Sequence, residues 1–197
     1  MSYRVLMLML LTTISTIAQS APKVQATGSV NARKTMVNAL YHNVVIHHPY
    51  SLLDGPDAKM FSPYLSESLS QKLQSARNCS RDWFRQNQGK AVKAPFAWSA
   101  FGIFSGYNER DSPGSFKIES IQAEPDGSFR ADVVLTYKLA DGPGSWRVSV
   151  RIVQQHNRPV VEDVTYLRDQ PGDSEKRLSE ILSDGCDGSR WVGQTDR

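Results

Sequence analysis

Two neighbouring stretches of strict alternation constrain this chain more than any other feature. Phe129, Ala131, Val133, Leu135 and Tyr137 fall on one face of an extended segment, with Arg130, Asp132, Thr136 and Lys138 mostly on the other. After the turn-forming run Asp141-Gly142-Pro143-Gly144, Trp146, Val148, Val150 and Ile152 alternate with Arg147, Ser149 and Arg151. Two amphipathic strands joined by a short turn predict an antiparallel hairpin with one buried face, and that face needs a second layer to cover it.

The covering layer is legible upstream. From Ala32 onward, Met36, Val37, Leu40, Tyr41, Val44 and Val45 recur at helical spacing and predict a helix of about four turns that stops before Pro49. A second helix is punctuated by Ser62 as cap and Pro63 at the first helical position, with Leu65, Leu69 and Leu73 in register and fraying expected near Asn78. A short third helical piece contains Trp83 and Phe84. After Gly89 the composition turns to aromatic and β-branched residues, the signature of sheet. Phe96 to Phe104 reads equally as strand or loop; Phe116 to Ala123 reads as strand and runs into the turn Glu124-Pro125-Asp126-Gly127. A last strand spans Pro159 to Leu167, and a short helix capped by Asp173 or Ser174 carries Leu178, Ile181 and Leu182 and closes at Gly185. Helices first and strands after predict an α+β domain, with N-terminal helices packed on a twisted antiparallel sheet of about four strands. The expected boundaries are a flexible leader over 21–31, one domain over 32–186 and a tail over 187–197.

The extreme N-terminus has the pattern of an export signal. Arg4 is the only charge before Lys23, and Val5 to Ile17 is an apolar run interrupted only by Thr and Ser, too short to span a bilayer. Small residues place cleavage after Ser20 or after Ala18; Pro22 disfavours a cut after Ala21. No Cys lies near this region, so no N-terminal lipid anchor is expected. Removing residues 1–20 takes away Arg4 alone and leaves 22 basic against 20 acidic residues, a net of +2. That balance argues against a nucleic-acid partner, and no second apolar run reaches membrane length. The expected location is the periplasm, in soluble form.

Cys79 and Cys186 are the two cysteines of the chain. In an oxidising compartment an even pair predicts a structural disulfide; the alternatives are two unpaired thiols or a catalytic Cys79, which has no His near it in sequence. A disulfide here closes a loop of more than a hundred residues and contributes roughly 4 to 5 kcal/mol on the chain-entropy model.

Pro63-Tyr64-Leu65-Ser66-Glu67-Ser68-Leu69 and Val161-Glu162-Asp163-Val164-Thr165-Tyr166-Leu167 together resemble the YbjP-like family of exported bacterial proteins. The likeness extends over most of residues 32 to 183. It implies a cystatin-like cone of the nuclear transport factor two superfamily and an envelope location, and it supplies no catalytic residues. This chain departs from the lipoprotein members in having no lipobox Cys.

Candidate sites are few. His42, His47 and His48 are spaced i, i+5 and i, i+1, which does not place two ligands on one helical face, so no metal is expected. His156 lies in a polar turn. The resemblance implies a cone of a superfamily that also hosts enzymes, generally with an Asp or Glu base and a His or Tyr partner inside an apolar pocket, which directs attention to Glu162, Asp163, Tyr41 and Tyr166. Adjacent strand residues point to opposite faces, so Glu162 becomes the pocket carboxylate if it shares a face with Val160, Val164 and Tyr166. Phe96, Trp98, Phe101, Phe104 and Tyr107 form the densest aromatic stretch, just after Lys90 and Lys93. Core packing is the default for them, and partner binding through Trp98, Phe101 and Tyr107 is the functional alternative. No nucleophile elbow, phosphate loop, zinc-protease or paired CxxC motif is present, and no cofactor is expected. The expectation is an exported, non-catalytic binding or adaptor protein for another envelope protein. The alternatives are an immunity or inhibitor protein against an envelope-acting toxin, and a small-molecule isomerase or dehydratase.

Overall fold

The computed structural model describes residues 24–106, 112–139, 142–167 and 175–193. Helix α1 (Val24–His47) is followed by α2 (Gly55–Phe61), a 3-10 turn at Ser62–Tyr64, and α3 (Glu67–Gln86). A 3-10 turn at Ala97–Ala100 leads to strands β1 (Ser115–Ala123), β2 (Phe129–Leu139), β3 (Gly142–Gln155) and β4 (Arg158–Leu167). Two-residue β5 (Lys176–Arg177), helix α4 (Leu178–Ser183) and the two-residue strands β6 (Cys186–Asp187) and β7 (Arg190–Trp191) complete the chain. The sheet is five-stranded, antiparallel throughout and ordered β1-β2-β3-β4-β5, with β6 and β7 forming a separate hairpin. The fold is α+β.

The alternating stretches pair as expected. Ala131 lies opposite Val150, Val133 opposite Val148 and Leu135 opposite Trp146, so the apolar sets of β2 and β3 share one face. Gly142, Pro143 and Gly144, expected in the turn, already pair with Leu139, Lys138 and Tyr137. Val37, Leu40, Tyr41 and Val44 of α1 and Leu69, Leu73, Ala76, Cys79 and Trp83 of α3 are buried in the same continuous core as this face. Each such side chain contributes about 1.5–3 kcal/mol by leaving water. Arg33 is buried too; its guanidinium stacks over the Phe129 ring at 3.6 Å, and burial lowers its pKa.

Several boundaries differ from the sequence reading. Helix α1 begins at Val24, inside the segment expected as a leader, and continues through Gly28 despite the low helix propensity of that residue. Ser62 does not cap α3: Ser66 does, its hydroxyl accepting the Leu69 N–H at 2.9 Å, with Glu67 in the favourable first turn. That helix runs past Asn78 to Gln86 and contains the expected third piece. Asp173 and Ser174 lie outside the described residues; the start of α4 is served instead by Asp163 of β4, which accepts from the Ser179 N–H at 3.0 Å and the Ser179 hydroxyl at 2.5 Å. Residues 186–191, largely expected as tail, form the β6–β7 hairpin. The signal-like residues 1–20 also lie outside the described residues, among which no helix is long and apolar enough to cross a membrane.

Candidate functional site

The second half of α3 gathers a cluster of five aromatic residues, Trp83, Phe84, Phe96, Trp98 and Trp191. Its buried stripe places Trp83 inward, and Phe84, one residue further around the helix, points out and is 57% exposed. Phe84 sits edge-on to Trp83 at 4.9 Å between centroids; Trp83 sits edge-on to Phe96 at 6.2 Å. Phe96 stacks on Trp98 at 4.6 Å and meets the edge of Trp191 at 5.3 Å. The exposed ring therefore rests on a rigid, interlocked support.

The β6–β7 hairpin completes that support, and four ties hold it on α3. Cys79 and Cys186 form a disulfide with Cα atoms 6.0 Å apart. Asp82 accepts from the Trp191 backbone N–H at 3.0 Å, Gln86 donates to the Trp191 carbonyl at 3.4 Å, and Asn78 donates to the Ser189 hydroxyl at 3.2 Å. The Trp191 N–H, then Arg85 and Gln86, hold the Asp82 carboxyl below its usual range. Gly185 has φ +73°, and a Cβ there would stand 2.3 Å from Trp191 Cζ3, so only glycine lets the indole lie against this turn.

The surroundings are apolar and basic. Among the described residues, Ile46, Phe84, Val92 and Val192 are the large apolar side chains more than half exposed, and all but Ile46 belong to the segments that meet at this cluster. Arg77, Arg81, Arg85, Lys90 and Lys93 follow one another along α3 and its exit, with Asp82 the sole acid between them. Asp82 is engaged with Trp191 and Arg85.

The residues singled out from sequence are placed differently. Trp98 is 4% exposed and Phe96 and Phe104 are buried, because 96–104 packs under α2 and α3 as a 3-10 turn and coil rather than as a strand. Phe101 is half-buried, edge-on to Tyr166 at 5.4 Å. Tyr107 lies outside the described residues. Glu162 is half-buried at an irregularity of β4: Arg151 pairs with Asp163 while the next residue, Ile152, pairs with Val161, so Glu162 is passed over. Val160 and Val161 are consequently both buried, and the buried carboxylate is Asp163, 7% exposed, committed to α4. Tyr41 donates to the Phe104 carbonyl at 3.1 Å and Tyr166 to the Ile103 carbonyl at 2.7 Å. Burial above all, with neighbouring ionisable groups, raises both phenol pKa values, so these hydroxyls tie down the 103–104 segment. His42, His47 and His48 are exposed around the end of α1, and His156 is exposed in the β3–β4 turn, 3.8 Å from Glu67.

Open grooves lie among the described residues, three of which bear on the candidate sites. One of about 540 Å³ runs between α3 and α4 and is rich in serine, with Ser68, Lys72, Ser75, Ser179 and Ser183. A second, of about 340 Å³, lies on the sheet face turned away from the helices. Its arginines are internally compensated, Arg130 by Glu124 at 3.5 Å and Arg147 by Glu119 at 3.5 Å. The third, of about 470 Å³, borders the aromatic cluster at Trp98. Glu162 lines none of them. Comparison of the chain with protein-family models, curated proteins and solved structures finds no match.

Proposed function

We propose that this chain is an exported, non-catalytic binding protein of the bacterial envelope whose partner, another protein with an acidic and apolar surface, docks on the end of α3. The observation that carries the reading is Phe84, an exposed ring held edge-on by a buried Trp-Phe-Trp stack. Rigid aromatic anchors of this kind dominate interface energetics, because burying them costs little side-chain entropy. The basic residues around it select an acidic rim on the partner and steer its approach. Export is supported by the charge, apolar run and small-residue site within 1–20, and by a disulfide that an oxidising compartment maintains. Membership of the YbjP-like family belongs to the same proposal. Its two motif segments, distant in sequence, meet through the Leu65–Val161 bridge and the Ser66 N–H to Val161 carbonyl bond of 2.8 Å.

A Phe84→Ser variant tests the reading beside Glu162→Gln. With folding confirmed by thermal melts, Phe84→Ser loses about 2 kcal/mol or more of partner affinity and the cellular phenotype, while Glu162→Gln keeps both. A folded Glu162→Gln protein that loses the phenotype while Phe84→Ser keeps it replaces docking by catalysis.

A further inference from the structure

The third groove holds two arginines whose partners are neutral. Arg85, Arg130, Arg147, Arg151 and Arg177 each form an ion pair with a carboxylate. Arg77 and Arg81, one turn apart on α3, form none among the described residues. Arg77 donates through Nε and Nη2 to the Leu53 carbonyl, the former at 2.9 Å, and through Nη1 to Gln74 Oε1 at 2.9 Å. Arg81 donates to Asn78 Oδ1. Neutral acceptors thus hold both guanidinium groups, neither of which is paired with a carboxylate among the described residues, so their charge is available to an anion.

Two further donors line the same groove. Ser51 and Ser80 have hydroxyls without a partner among the described residues. Trp98 forms part of the wall, with its indole N–H buried behind it. The one carboxylate lining the groove, Asp54, is exposed and unpaired. The volume suits a small organic molecule.

We propose that this groove is a binding site for a small molecule carrying an oxyanion, carboxylate or phosphate. Arg77 and Arg81 provide the charge, the Ser51 and Ser80 hydroxyls complete the donor set, and the Trp98 indole forms the wall against which a ligand rests. Asp54 opposes a bare anion and selects ligands that also present a hydrogen-bond donor. The groove adjoins the docking face at Phe84 and shares Arg77 and Arg81 with its basic surround, but its test reads a small ligand and needs no partner protein.

The test uses the disulfide-intact protein and follows indole N–H resonances during titration with succinate and, separately, inorganic phosphate at constant ionic strength. Trp98→Phe identifies the Trp98 signal by removing it. The expected result is a saturable shift of that signal with a dissociation constant of roughly 1–10 mM. Which probe saturates distinguishes a carboxylate site from a phosphate site, and either supports the proposal. Arg81→Gln, whose side chain touches only Asn78, weakens binding roughly tenfold or more; Asp54→Asn tightens it; Arg147→Gln on the sheet face leaves it unchanged. Absence of saturation with both probes up to about 50 mM, or equal binding by Arg81→Gln, overturns the assignment.

Discussion

Replacing Cys79 and Cys186 together by alanine removes a link between residues 107 apart in sequence. On the chain-entropy model a loop of about 100 residues is worth about 4.7 kcal/mol, mainly through the unfolded chain. Cys79 is wholly buried on α3, so trimming its sulfur adds roughly 1 kcal/mol of lost packing. The expected loss is therefore about 5–6 kcal/mol, a third or more of the about 5–15 kcal/mol that holds an ordinary domain together. For a domain of this size that corresponds to a fall in Tm of about 10–20 °C. Urea unfolding followed by circular dichroism and tryptophan fluorescence measures it directly. The slope against urea should steepen in the variant, because an unlinked chain exposes more surface when it unfolds. A double variant that unfolds within about 1 kcal/mol of the parent would refute the reasoning, for the link would then restrict nothing that matters.

Gly185→Ala forces a Cβ against Trp191 at a positive φ and should cost about 1–3 kcal/mol, read as a lower melting temperature with the disulfide intact. Asp163→Ala leaves the Val164 and Ser179 N–H groups without their acceptor and should cost about 2–4 kcal/mol, whereas Glu162→Gln should stay within about 0.5 kcal/mol of the parent in the same denaturation assay. Because the Asp82 carboxyl is held below its ordinary value of 3.8, its hold on Trp191 is fully present above that value and is lost as pH falls through the lowered pKa. Tryptophan fluorescence during acid titration should report that step, and Asp82→Asn should abolish it; an unchanged step in the variant contradicts the assignment.

The buried face of the β2–β3 hairpin was legible, though not its turn, because a period of two leaves no freedom: once Val133 faces the core, its partner Val148 must too. The extent of α3 was also written in the pattern, since Leu69, Leu73, Ala76, Cys79 and Trp83 continue one stripe through Asn78, a residue that suggests fraying only in isolation. Its start was harder. Ser62 and Ser66 both stand before helical residues, and only the Leu65–Val161 bridge draws residue 65 out of the helix. Helix α2 spans seven residues, too few to show a period. The orientation of Glu162 turned on a one-residue irregularity that has no local signal, and it moved the buried carboxylate to Asp163. Density of aromatic residues pointed to 96–107, yet those rings that are described pack inward or half inward. The exposed ring is Phe84, which could have been found by stepping one residue past the Trp83 position of the buried stripe. Arg77 and Arg81 gave no sequence signal as a pair, because what brings them together is the fold, which sets Leu53, Gln74 and Asn78 as neutral acceptors beside them.

The docking face at the end of α3 is tested most directly by a photo-reactive amino acid placed at position 84 in cells, with the same group at position 147 on the opposite sheet face as control. The account predicts a discrete protein adduct at 84, with an acidic partner surface identified by mass spectrometry at the cross-linked site, and none at 147. Adducts at 147 alone, or at neither position, would contradict it.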